Sequence, residues 1–146
     1  MKISTKGRYA IRLMLDIAQN SNGGNVSIKD VAQRQDISLK YLEQIVNMLS
    51  KAGFLHSQRG SQGGYRLTRP PGEYTVGDIL RVTEGELAPV ACLADEPNKC
   101  PKAASCPTVR FWTGLYDVVS NYLDGTTLND LIEEPAESNE NFCCYI

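Results

Sequence analysis

The sequence has no apolar run near the roughly 20 residues that a membrane-crossing helix requires, which excludes a helical span. Behind its start, Met1-Lys2-Ile3-Ser4-Thr5-Lys6-Gly7-Arg8, there is no long apolar stretch, so no secretory leader and a cytoplasmic location are expected. There is one histidine, His56, and neither a Ser-His-Asp set nor a phosphate-cradling glycine loop, so an enzyme is not expected. The C-x2-C pairs of zinc ribbons are missing too, as are internal repeats and low-complexity tracts. Hydrophobic residues are not lacking: at 42% of 146 residues, with 22% charged, they exclude a mostly disordered chain. The length suits one domain with a modest extension.

Net charge is small, at −2, but it is unevenly placed. Residues 1–70 hold 11 Lys and Arg against 4 Asp and Glu, whereas residues 71–146 hold 4 against 13. A basic half beside an acidic half marks nucleic-acid contact by the basic region; a solvated basic face without a partner gives the same count. Cysteine is plentiful by comparison. Five is an odd number, so a complete set of internal disulfides is impossible, and metal or redox chemistry is the better expectation in a chain with no export signal.

Periodicity predicts a helix over 5–18 capped by Thr5, with apolar residues at 10, 13, 14, 17 and 18. Residues 20–25 form a loop. Ser27 caps a helix over 28–35, with Asp30 as a capping-box-like carboxylate. After a tight Asp36-Ile37 connection, Ser38 caps a helix over 39–51 whose buried face is Leu39, Leu42, Ile45, Val46 and Leu49. Gly53 is its terminator. Strands at 54–58 and 65–68 flank a glycine-rich turn at 59–64. A helix-turn-helix followed by a basic hairpin is a winged helix, expected over 1–72.

Residues 73–132 should then hold a helix over 76–83 capped by Thr75, an irregular segment over 85–107, a long helix opened by Thr108 and running to about 123, and a short helix over 128–132 capped by Thr127. A disordered tail is expected over 133–146. The expected fold is mainly α with a small β-wing: a winged helix-turn-helix DNA-binding domain plus a long dimerisation helix. Val118, Val119 and Tyr122 lie partly off the face that would pack on the first domain, which suits dimerisation, although burial in the chain's own core would use them equally.

Several side chains then suit duplex DNA. Ser38, Lys40, Tyr41 and Gln44 lie near the start and on the polar face of the second helix of the motif. Gln can bond adenine edges, Lys can bond guanine or phosphate, and hydroxyls reach phosphates. In the wing, Arg59 beside Gly60 and Ser61 can extend into a minor groove. Lys2, Thr5, Lys6, Arg8, Arg12 and Arg66 can meet phosphates, whereas Tyr9 reads as a packing residue. Cys92-x7-Cys100-x5-Cys106 is a different constellation. Three thiolates on one loop suit an iron–sulfur cluster with a fourth, non-cysteine ligand; zinc, or redox thiols without metal, stay open on spacing alone.

Three stretches carry a resemblance: Ser4-Thr5-Lys6-Gly7-Arg8-Tyr9-Ala10 with Met14-Leu15-Asp16; Ile37-Ser38-Leu39-Lys40-Tyr41-Leu42-Glu43-Gln44; and Arg59-Gly60-Ser61-Gln62-Gly63-Gly64-Tyr65. Over residues 1–132 the chain resembles the family of dimeric bacterial winged-helix regulators that includes the iron–sulfur regulator IscR, the nitric-oxide sensor NsrR and the cysteine-metabolism regulator CymR. The resemblance implies a homodimer on a pseudo-palindromic double-stranded DNA operator, with half-sites about one or two turns of roughly 34 Å apart. It implies an iron–sulfur cluster, of [2Fe-2S] type, held by Cys92, Cys100 and Cys106. It also implies repression of iron–sulfur assembly genes with the cluster bound, and altered DNA choice without it. Ser38, Tyr41, Gln44 and Arg59 would be the DNA readers.

Two positions depart from that pattern. The histidine commonly found three residues after the last cysteine is Val109 here, and an aspartate used near the N-terminus is Arg8. The fourth ligand is therefore open. Glu43 is the first choice: released from iron, its carboxylate would accept from cytosine and repel phosphate. Asp95, Glu96 or an external thiol come next. The alternatives to a cluster sensor are a thiol or zinc sensor of the same fold, and an interaction protein docking on a metabolic enzyme through its acidic half.

Overall fold

The computed structural model describes residues 1–133. Helix α1 spans Thr5–Asn20, α2 Ile28–Gln35 and α3 Leu39–Lys51; strands β1 Leu55–Gln58 and β2 Gly64–Leu67 follow, then α4 Val76–Glu84, α5 Val109–Gly125 and α6 Leu128–Glu133. This is the mainly helical chain with a two-stranded wing that the sequence leads one to expect. Among the described residues no helix is long and apolar enough to cross a membrane. The tail expected over 133–146 begins one residue early, because Glu133 is the last residue of α6; residues 134–146, with Cys143 and Cys144, lie outside the described residues.

Capping residues set most boundaries. The Ser27 hydroxyl accepts from the Lys29 N–H, and the Ser38 hydroxyl from that of Tyr41. A reciprocal box forms at Thr75 and Asp78, where each side chain accepts from the other's backbone N–H, at 3.0 and 3.3 Å. Thr127 and Asp130 repeat it ahead of α6, and the Thr127 N–H and hydroxyl hold the Asp130 carboxyl below its ordinary range. Two expected caps differ. Ser4, not Thr5, caps α1, because Thr5 already has helical geometry. Thr108 makes no side-chain cap on α5.

The winged helix packs around one core. Ala10, Leu13, Met14 and Ile17 of α1 meet Val31 of α2 and Leu42, Ile45, Val46 and Leu49 of α3. Leu39, expected inside, is only partly covered because it opens its helix. Tyr74, Ile79 and Leu128, from beyond residue 72, join the same core. Asp36 closes α2 in the left-handed conformation at φ 53°, and this residue makes the tight turn into α3. Asp16 is 3% exposed and accepts from Arg34 and Gln35, so a buried ionic clamp joins α1 to α2.

In the wing, Leu55 faces Leu67 and Gln58 faces Gly64 in antiparallel register. An isolated rung on the other edge of β2 comes from Val26 ahead of α2, which exchanges two 2.8 Å hydrogen bonds with Tyr65. Further on, Arg81 of α4 pairs with Asp124 near the end of α5 at 2.6 Å, and its guanidinium holds the Asp124 carboxyl low. No residue of α5 is fully buried. Phe111, Leu115, Val118 and Tyr122, spaced four, three and four apart, form an exposed apolar stripe along it.

Candidate nucleic-acid interface and cysteine loop

The apolar spacing of α3 seats Leu42, Ile45, Val46 and Leu49 in the core and so turns Lys40, Glu43, Gln44 and Asn47 outward. Ser38 is exposed at the helix start. Its oxygen serves as the cap, at 3.3 Å from the Tyr41 N–H, which leaves the hydroxyl proton free to donate. Tyr41 is half-buried and meets Tyr9 edge-on at 5.8 Å, so Tyr9 is the packing partner and Tyr41 is braced against it. The helix start also offers unpaired backbone N–H groups and positive potential.

Arg59, Gly60 and Ser61 are exposed at the wing tip, where Gly60 takes φ 111°, a conformation suited to glycine. Lys2, Thr5 and Arg8 are exposed around the start of α1, and Lys6 is half-buried. Among the described residues there are three ion pairs, Arg34–Asp16, Arg81–Asp124 and Lys99–Asp95. None of them uses Lys2, Lys6, Lys40, Arg59 or Arg66, so among the described residues no carboxylate pairs with these cations. Two of the expected phosphate contacts, Arg8 and Arg12, also spend donors within the chain. Arg12 donates to the Gln35 side chain and carbonyl at 3.0 and 2.7 Å, and Arg8 donates to the Thr5 hydroxyl at 3.1 Å.

Sequence reasoning missed two residues that hold this surface in shape. The Asn25 amide donates to the Gln58 side chain at 2.9 Å and to the Gln62 carbonyl at 3.2 Å, bracing the wing turn from the α1–α2 loop. The Glu84 carboxylate, at the end of α4, accepts from Ser4 N–H, Ser4 hydroxyl and Gly7 N–H at 3.3, 2.6 and 3.0 Å. It caps α1 from 80 residues away, and Gly7 leaves room for it: a Cβ there would meet its oxygen. No local signal reveals either contact.

Cys92, Cys100 and Cys106 all lie on the segment between α4 and α5, unpaired and partly exposed. Cys92 sits in a short turn, Ala91–Leu93. Cys100 is fixed by its N–H to the Asn98 side chain at 2.8 Å and by its carbonyl, which accepts from Ala103 at 3.0 Å. Cys106 lies just ahead of α5 with its sulfur 3.5 Å from the Thr108 hydroxyl; that contact, and the backbone N–H groups of Thr108 and Val109, lower its thiol pKa. The start of the loop is anchored where Tyr116 of α5 donates to Glu86 at 2.8 Å.

Thiol donors suit a soft-metal centre, and in that respect the loop fits an iron–sulfur cluster. Their placement is open: among the described residues no three His, Cys, Asp or Glu side chains come together around a common point. Glu43 is exposed on α3 and is not gathered with the thiols; Asp95 is paired with Lys99, Glu96 is exposed, and Val109 begins α5. His56 is exposed on β1 opposite Arg66, away from any ligand role.

Residues 3–134 match the Rrf2 family, described as "Iron-dependent Transcriptional regulator". The chain belongs to the Rrf2 family. It is 42% identical to the HTH-type transcriptional regulator CymR of Bacillus subtilis over 147 residues, covering all of both chains. It is 39% identical to the HTH-type transcriptional regulator IscR of Aliivibrio salmonicida, over 90% of this chain and 77% of that protein. In three dimensions it matches the solved structure of B. subtilis CymR, the global cysteine regulator, with a TM-score of 0.76 over 91% of this chain and 97% of that one, at 41% identity. The IscR structure from T. potens matches with a TM-score of 0.74 over 97% of each chain, at 36% identity. The winged-helix fold is thereby shared with solved Rrf2 regulators, and DNA binding in transcription regulation is the function of this family.

Proposed function

We propose that this Rrf2-family chain is a homodimeric repressor that reports iron–sulfur status through Cys92, Cys100 and Cys106. The observation that carries the reading is three unpaired thiols on one loop, inserted between a helix packed on the DNA-binding unit and a helix with an open apolar face. In this reading α3 enters the major groove start first. Gln44 meets adenine, Lys40 guanine or phosphate, and Ser38 and Tyr41 phosphates. Arg59 enters the minor groove, with Gly60 and Ser61 allowing close approach, while Lys2 and Lys6 neutralise phosphates and the Thr5 hydroxyl hydrogen-bonds one. A second copy covers the α5 stripe, which sets two half-sites on a pseudo-palindromic duplex.

The three thiolates would hold a [2Fe-2S] cluster, with Glu43 as the fourth donor. Bound there, the cluster supplies a centre sensitive to iron and oxidants. Glu43 ties that centre to α3 because it stands on the helix itself. A second reading, a zinc or thiol sensor without a cluster, draws on two observations. The thiols are not gathered among the described residues, and full-length likeness to a cysteine regulator is as high as likeness to IscR.

Anaerobic purification from iron-replete cells separates the two. The cluster reading expects a coloured protein whose visible absorbance is lost in Cys92→Ser and changed in Glu43→Ala. A colourless protein with one zinc per chain, or with no metal and free thiols, contradicts it and supports the second reading. An unaltered spectrum in Glu43→Ala removes Glu43 as the fourth ligand.

A further inference from the structure

Tyr74 lies between the wing and α4 and is fully buried, at 0% exposure. A buried phenol needs partners for its hydroxyl, and this one finds them at the foot of the wing. It accepts from the backbone N–H groups of Thr68 and Arg69 at 3.1 and 2.9 Å, and donates to the Phe54 carbonyl at 3.0 Å. The Thr68 hydroxyl, 2.9 Å away, itself bonds the Gly53 carbonyl at 2.7 Å. Phe54 leads into β1, and Thr68 and Arg69 lead out of β2, so one oxygen serves both feet of the hairpin. The ring is held edge-on by Phe54 at 5.3 Å and lies under the Arg69 guanidinium at 4.5 Å. The backbone of Tyr74 is fixed from the other side. Its carbonyl accepts from Leu128 at 3.0 Å, and Val76 donates to Thr126 at 2.8 Å, so the chain that follows α5 is stitched to it.

We propose that the Tyr74 hydroxyl is a positioning group at the feet of the wing, working with the Asn25 and Val26 braces further along to set the angle at which the hairpin leaves the body, and tying that angle to the chain end of α5. The lever is long. Four strand residues at about 3.3 Å each, plus the turn, put the tip about 15 Å from the feet, so a 10° tilt moves Arg59 by about 3 Å, enough to break a groove contact. The DNA consequence rests on the proposed contact of Arg59; the positioning of the wing does not.

The test uses the full chain. Tyr74→Phe removes one oxygen and keeps the ring. Hydrogen exchange of wing amides over 55–67 should rise about fivefold or more, with α1 and α3 amides unchanged. Duplex affinity should fall about five- to tenfold, and the loss should vanish in an Arg59→Ala background, because the two changes act through one contact. Unchanged wing exchange, or a rise spread evenly over α1 and α3, overturns the proposal. An equal loss of affinity in the Arg59→Ala background overturns it as well. If Arg59→Ala alone leaves affinity intact, the wing's DNA contact fails and exchange decides the positioning role. Thr68→Val, at an exposed site, weakens the same junction and should raise wing exchange to a lesser degree; no change there counts against the proposal even if Tyr74→Phe does not fold.

Discussion

Gly64→Ala should lower the thermal midpoint by more than about 10 °C, corresponding to about 4 kcal/mol. Gly64 takes φ 149°, and a Cβ there would lie 2.7 Å from the Val26 carbonyl carbon and nearer still to its oxygen. The obstacle is backbone, pinned by the two 2.8 Å bonds between Val26 and Tyr65, so no side chain can swing aside. Relief means parting that rung. It gives up two hydrogen bonds, worth about 1 kcal/mol each, disturbs buried Val26, and keeps the strain of the positive φ. Gly60→Ala is the control. Gly60 also has positive φ, at 111°, but a Cβ there meets nothing within 4 Å, so strain alone remains and the loss should be about 1–2 kcal/mol. Scanning calorimetry of both variants checks this; equal midpoints would contradict it.

Asp16→Ala is the second large loss, at about 2–3 kcal/mol. The carboxylate is buried between α1 and α2 and receives two nitrogens of Arg34, at 3.1 and 2.5 Å, together with the Gln35 amide at 2.8 Å. Its removal leaves those donors facing a void. The loss stays below the full figure for a broken buried pair because the Arg34 side chain is 38% exposed and can regain water. Asp16→Asn keeps one acceptor and should lose less. Urea unfolding ranks the variants, and a midpoint for Asp16→Ala above that of Asp16→Asn would refute the clamp. The clamp also reaches Arg12: Gln35, held by Asp16, accepts from Arg12 in turn.

Local chemistry made most of the fold legible. Ser27, Ser38, Thr75 and Thr127 announce helix starts because a side-chain oxygen two or three residues ahead of a free N–H is a local device. Gly53 announces an end because its backbone, at φ 78°, takes a left-handed conformation that suits glycine. The start of α1 agrees at residue 5 but its cap differs by one, since Ser4 and Thr5 are both competent caps and Ser4 is the one engaged by Glu84, far along the chain. Thr108 reads as a cap, but its hydroxyl lies beside the Cys106 sulfur. Asn25, Asp16 and Tyr74 reach their roles only through tertiary contacts, which no periodicity encodes.

The candidate site divides along the same line. Exposure of Lys40, Gln44 and Arg59 follows from helix and hairpin geometry, so it was readable. Arg8 and Arg12 each spend part of the guanidinium inside the chain, one N–H of Arg8 on Thr5 and two of Arg12 on Gln35, which no spacing in the sequence reveals. The thiols of Cys92, Cys100 and Cys106 share a segment in the sequence and in the structure, but sharing a segment does not fix three sulfurs around one point.

Selection from a pool of random duplexes tests the account most directly. It would be run with the full chain either loaded anaerobically with iron and sulfide or stripped of metal, beside the triple variant Cys92→Ser, Cys100→Ser, Cys106→Ser. The account predicts a two-fold symmetric site whose affinity, or whose preferred bases, differs about tenfold (about 1.4 kcal/mol) between loaded and stripped wild type. It predicts no such difference between the two preparations of the triple variant. One unchanging motif, bound equally by all four preparations, would contradict it.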